Sequence, residues 1–133
     1  INTGIASIND LAAIKVLESK YLRIRNNTFK NTFFGIYFSN SSQSWIENNS
    51  LQSDAEAEHQ IGNGIHLWKC EHITIKNNTI KGHRDGIYFE FVTNSLITNN
   101  HSEGNMRYGL HFMFSHNDEY RNNTFFNNGA GVA

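Results

Sequence analysis

Asn-Asn pairs beginning at positions 26, 48, 77, 99 and 122 each have a Gly/Ala-Ile/Leu pair thirteen residues ahead of them. The leading pairs are Ala13-Ile14, Gly35-Ile36, Gly64-Ile65, Gly86-Ile87 and Gly109-Leu110, with Gly131-Val132 opening a sixth unit, so the steps are 22, 29, 22, 23 and 22 residues. A unit this short cannot bury its own apolar face. It must stack on its neighbours, so the period demands a solenoid rather than a single closed core.

Within a unit such as Gly86-Ile87-Tyr88-Phe89-Glu90, apolar and polar residues alternate with period two, the mark of a half-buried strand. Laying the units on the repeat puts Ile14, Ile36, Ile65, Ile87 and Leu110 in one inward column, with Val16, Phe38, Leu67, Phe89 and Phe112 two places on. A second strand carries Ile24, Ile46, Ile75, Ile97 and Tyr120 before the Asn pairs, and a third carries Phe29, Leu51, Ile80, Ser102 and Phe125 after them. Three short strands in about 22 residues describe one coil of a single-stranded parallel β-helix, an all-β solenoid of five to six coils. The absence of proline among ten Gly and twenty Asn agrees with strands and tight turns.

The whole chain, 1–133, reads as one solenoid segment of a longer protein, with coils starting near 13, 35, 64, 86, 109 and 131. It opens at Ile1 without a charged and apolar leader, and it stops two residues into a unit. The 29-residue unit carries seven extra residues, and its polar stretch 52–60 is expected to loop out. Residues 4–10 read as the irregular remnant of an earlier coil. Asn26, Asn48, Asn77, Asn99 and Asn122 are expected to be structural, taking left-handed turns and bonding along a ladder.

A net charge of −1 with scattered Lys and Arg leaves no basic stripe for nucleic acid, and no apolar run approaches the ~20 residues that span a bilayer. The lone Cys70 excludes an internal disulfide. Chemistry is expected on the outward face of the first strand, where Lys15, Tyr37, His66, Tyr88 and His111 form one column and Leu17, Ser39, Trp68, Glu90 and Met113 the next. His66 and His111 lie two coils apart, roughly 10 Å at ~4.8 Å per strand, too far to share a metal that needs each nitrogen at about 2 Å. His83 with Met106, and Glu90 with Met113, are one coil apart. Thioether with imidazole suits Cu(I).

Tyr37, Tyr88 and Trp68 could form a flat platform for sugar or protein. Arg84 and Arg107, aligned one coil apart, should repel unless they meet Asp85, Glu103 or an anionic partner. Three functions stay open on the residues alone: a carbohydrate-binding or polysaccharide-modifying β-helix (lyase, hydrolase or epimerase), a metal-handling or partner-binding module, and a scaffold. Carboxylates are thin for glycoside chemistry, which favours the binding module.

The runs Gly62-Asn63-Gly64-Ile65-His66-Leu67-Trp68, Gly82-His83-Arg84-Asp85-Gly86-Ile87-Tyr88-Phe89-Glu90-Phe91 and Arg107-Tyr108-Gly109-Leu110-His111-Phe112-Met113-Phe114-Ser115 resemble the NosD family, over about 13–133. The resemblance implies a right-handed, pectin-lyase-like β-helix in the periplasm with a non-enzymatic role. It implies work with the ATPase and permease of an ABC transporter, and with a copper chaperone lipoprotein, to supply the copper-sulfide centre of nitrous oxide reductase. Copper ion is then the expected cofactor, with His83, Met106, His111, Met113 and Glu90 as candidate ligands. Arg84, Arg107, His66, Trp68 and Tyr88 are the expected partner-binding residues, with no membrane insertion by this segment.

Overall fold

The computed structural model describes residues 11–133; the stretch 4–10 lies outside the described residues, apart from the family match given below. The described chain is a parallel β-solenoid of about 22 residues per turn. One wall pairs six strands in the order Ala12–Leu17, Phe34–Ser39, Ile65–Lys76, Asp85–Thr93, Tyr108–Met113 and Ala130–Val132. A second runs through Thr28–Lys30, Ser50–Gln52, Thr79–Lys81, His101–Glu103 and Thr124–Phe126. The third joins Arg23–Arg25, Ser42–Glu47, the distal half of Ile65–Lys76, Leu96–Thr98 and Glu119–Arg121.

The register is the one the repeat predicts. Ile14 pairs with Ile36, Ile36 with Ile65, Ile65 with Ile87, Ile87 with Leu110 and Leu110 with Val132. Ile36, Phe38, Ile46, Leu51, Ile65, Leu67, Ile75, Ile80, Ile87, Phe89 and Ile97 are fully buried, each burial contributing roughly 1.5–3 kcal/mol. Phe112 keeps its place in the inner column, paired with Phe89 and stacked on Tyr120, and is 38% exposed.

The Gly column has a steric cause. A Cβ on Gly35, Gly64, Gly86 or Gly109 would meet the carbonyl oxygen of the next glycine in the column at 2.6, 2.7, 2.8 or 2.9 Å. Only a residue without a side chain lets neighbouring coils approach so closely there.

The corners follow one rule, a left-handed residue followed by an inward one. Asn26, Asn48, Asn77, Asn99 and Asn122 have φ of 59, 55, 56, 55 and 55°, as expected for Asn in a tight turn. Their side chains are exposed, however, and the hydrogen-bonded ladder is built by the second Asn of each pair. The Nδ2 atoms of Asn27, Asn49, Asn78 and Asn100 donate to Oδ1 of Asn49, Asn78, Asn100 and Asn123 at 3.0–3.1 Å. Once the first Asn has turned the chain, the next side chain points inward, where a backbone-facing amide must be satisfied. The same rule runs through other corners. Ser41, Ser44, Ser95, Ser115 and Asp118 follow left-handed Asn40, Gln43, Asn94, Phe114 and Asn117, and each accepts a backbone N–H from the preceding coil.

The insertion lies between the strands Ser50–Gln52 and Ile65–Lys76. It forms one 3-10 turn, Glu58–Gln60, stitched by Gln60 Oε1 to the N–H groups of Glu56 and Ala57, and it returns to the wall through fully buried Ile61.

Candidate functional site

The outward column of the first wall becomes a file of rings. Lys15 Nζ lies 5.3 Å from the Tyr37 ring centre, Tyr37 stacks on His66 at 4.6 Å, and His66 stacks on Tyr88 at 4.7 Å. Tyr88 then meets His111 edge-on at 5.2 Å. Parallel register brings side chains of one column within contact distance, so alternating Tyr and His stack along the axis. The expected flat platform is therefore not what forms: Tyr37 and Tyr88 turn their faces toward His66, and Lys69 Nζ covers the Trp68 ring at 4.4 Å. An open groove of about 430 Å³ runs beside this file, lined by Lys15, Leu17, Tyr37, Ser39, His66, Trp68 and Glu90.

Two histidines of the file are oriented by hydrogen-bond partners. Asn63 spends Oδ1 on the Asp85 N–H at 3.2 Å, so its Nδ2 is the donor toward His66 Nδ1 at 3.0 Å. His66 thus accepts at Nδ1, stays neutral and carries its proton on Nε2. Burial, with the nearby Arg84 charge, pushes its pKa down to about 4. His111 is set the other way. Its Nδ1 faces Oδ2 of fully buried Asp85 at 3.3 Å, and the second oxygen of Asp85 takes the Tyr108 N–H at 3.3 Å. A carboxylate cannot donate, so Nδ1 is the donor in this contact.

The five candidate copper ligands do not come together. Glu90 and Met113 pair across neighbouring strands and are joined by Tyr88, whose hydroxyl donates to Glu90 Oε2 at 2.9 Å and lies 3.6 Å from Met113 Sδ. Burial and that bond to Glu90 push the Tyr88 pKa up to about 12. His111 sits beside them. His83 does not: it is 0% exposed, inside the coil, with neither ring nitrogen hydrogen-bonded and its pKa pushed down to about 4 by burial.

The reason is a one-residue difference between coils. Lys81 pairs with Glu103, yet Asp85 pairs with Tyr108, so Met106 is an extra residue in its corner. His83 therefore follows left-handed Gly82 as Asn105 follows Gly104, and its N–H donates to Asn105 Oδ1 at 2.9 Å. Met106 meets His83 through the backbone, its N–H on the His83 carbonyl at 2.8 Å. Among the described residues no group of three or more His, Cys, Asp or Glu is placed to hold a metal ion.

The arginines align as expected, the Arg107 N–H donating to the Arg84 carbonyl at 2.8 Å. Neither named carboxylate forms an ion pair with them, though the charge of Asp85 acts on Arg107. Glu103 goes to Lys81 at 3.1 Å and His101 at 3.3 Å, and Asp85 is committed to His111. Arg107 lies over the Tyr108 ring and reaches Glu58 of the insertion at 3.6 Å. Arg84 makes no ion pair among the described residues, and its Nε is buried without a partner.

Several residues escaped the sequence reading: Asn105 and Asn128, which extend a second amide ladder at 2.9 Å; Asp85 as the support of His111; and Glu58. The first pair was findable, since it is 23 residues apart and obeys the repeat. Cys70 is buried, and burial pushes its thiol pKa up, so it takes no part.

The profile of the right handed beta helix region matches residues 4–133, and the chain belongs to this family of right-handed β-helices. No curated protein and no solved structure matches the chain.

Proposed function

We propose that this β-helix is a non-catalytic periplasmic accessory of the NosD kind, one that helps deliver copper and assemble the copper-sulfide centre of nitrous oxide reductase. Its partners in that reading are an ABC transporter, as ATPase and permease, a copper chaperone lipoprotein and the reductase. The supporting observation is that the two most distinctive runs, 82–91 and 107–115, meet side chain to side chain. Asp85 backs His111, and Tyr88 links Glu90 to Met113.

Copper enters as cargo, and the donors that fit it are Met113, His111 and Glu90 on one outward face. A thioether beside an imidazole suits Cu(I), and a carboxylate behind the imidazole is the usual support of a metal-binding histidine. His83, turned inward, and Met106 drop out of the set.

A competition titration against a chromophoric Cu(I) chelator tests the cargo half. Wild type should compete, Met113→Ala and His111→Ala should lose about tenfold or more, and Met106→Ala should not change. Capture of the lipoprotein chaperone or the reductase on immobilised chain tests the partner half. A chain that neither competes for Cu(I) nor captures either protein sinks the reading.

A further inference from the structure

Two like charges stacked one coil apart cost stability unless something anionic answers them. Here the internal answer is incomplete. Glu103 and Asp85 are bonded elsewhere, Arg107 has Glu58 of a surface loop at 3.6 Å and otherwise only the longer-range charge of Asp85, and Arg84 makes no ion pair among the described residues while its Nε is buried without a partner. The charge of Arg84 reaches the file of rings, since it acts on both His66 and Tyr88. Next to it, neutral His66 offers an N–H from Nε2. Lys15 and Lys69 add charge at the ring file and at Trp68, and Glu90, the acid on the groove wall, is held by the Tyr88 hydroxyl.

We propose that Arg84 and Arg107 receive the carboxylates of an acidic segment of a partner protein, and that Glu58 stands in for one of them while the chain is free. This deepens the partner-binding reading above and rests on it. A guanidinium is the group that binds a carboxylate in two parallel hydrogen bonds. Peptide fits better than an acidic sugar, because sugar recognition needs open ring faces and those of Tyr37, His66 and Tyr88 are turned on one another. What the file presents outward is ring edges, suited to polar contacts along an extended chain. Glu58 is 57% exposed at its side chain and held at one point only, so a competing carboxylate can displace it.

The experiment is fluorescence anisotropy of a labelled oligo-glutamate peptide titrated with the intact chain, at low and raised salt. Arg84→Gln and Arg107→Gln should each weaken binding by about tenfold, the scale of one charge-assisted contact, while Lys15→Gln, off the pair, should weaken it less. Glu58→Gln, an exposed change that leaves the fold alone, should strengthen it by removing the stand-in. The proposal is overturned if wild type does not bind the peptide, if Lys15→Gln weakens it as much as Arg84→Gln, if Glu58→Gln fails to strengthen it, or if oligogalacturonate binds more tightly than the peptide. Capture of the copper chaperone by the same wild-type chain would keep the proposed function standing through any of those results.

Discussion

The coil carries two files of stacked side chains that look alike on paper and differ in kind. On the inside, Asn27, Asn49, Asn78, Asn100 and Asn123 repeat one chemistry, and the amides of the first four are each used twice, on the next Asn and on a carbonyl of the preceding coil or its own strand end, while Asn123 donates to the Ile97 carbonyl. On the outside, Lys15, Tyr37, His66, Tyr88 and His111 change chemistry at every step, and the polar ends of His66, Tyr88 and His111 turn to Asn63, Glu90 and Asp85 rather than to one another. The difference separates a file that holds the solenoid together from one that is available for work. Uniformity with full satisfaction marks structure, and variation with unanswered charge, as at Arg84, marks a surface shaped for something else.

The largest effect should come from breaking the inner file at its centre. Asn78 Oδ1 accepts both the N–H and the Nδ2 of Asn49, and Asn78 Nδ2 donates to the Ile46 carbonyl at 2.9 Å. Asn78→Ala strands these buried groups at about 1–3 kcal/mol each, so chemical denaturation should report a loss of about 4 kcal/mol. A loss below about 1 kcal/mol would mean that the amides add little to the backbone ladder. Gly86→Ala should follow at about 3 kcal/mol, because its Cβ would press on the Ser102 hydroxyl, the Asn105 amide and the Gly109 carbonyl together. An unchanged melting temperature would show that the coils can separate there without cost.

His83 sharpens the comparison, since it occupies a corner place that Asn fills in the next coil. Both His83 and His66 have pKa values pushed down to about 4, from 6.5. Between those values the unfolded chain binds the protons and the folded chain does not, so stability falls as pH drops from 6.5 toward 4 and levels off below. His83→Asn should raise stability at neutral pH by about 1 kcal/mol, through an amide that can join Asn105. It should also flatten part of that acid loss, leaving the share due to His66. Denaturation curves at a series of pH values read both, and an unaltered pH slope would show that His83 does not titrate as its burial implies.

The repeat made the strands, the register and the outward columns legible, because a β-helix copies sequence spacing directly into spatial neighbours. It misled at two kinds of place. The first is where a coil has an odd residue. Counting back from Tyr108 pairs His83 with Met106, yet the extra residue in the corner gives the inward place to Asn105. The second is the corners whose left-handed residue is Glu18, Lys69, His72, Phe91 or Phe114, with φ of 46, 52, 53, 56 and 50°. These side chains carry no turn signal, and the parallel hydrogen bonds on either side impose the conformation. The Asp85 to His111 bond was hidden for a related reason: it crosses from one strand of the wall to the next at a corner, out of line with both outward columns.

The smallest effect is expected within the Asn pair itself. Asn77 turns the chain at a φ of 56° with its side chain exposed, while Asn78 points inward at 1% exposure. Asn77→Gly keeps the left-handed turn, since glycine adopts it without the Cβ penalty, and gives back some of that gain by loosening the unfolded chain. The two terms are of similar size, each of order 0.5–1 kcal/mol, so the net change in denaturation midpoint should be close to nil. Asn77→Val, with a branched Cβ that opposes positive φ, should cost about 1–2 kcal/mol at the same site. If Asn77→Gly proved as damaging as Asn78→Ala, the side chains of the first Asn residues would be part of the ladder after all, and the division between turning and bonding residues at each corner would have to be redrawn.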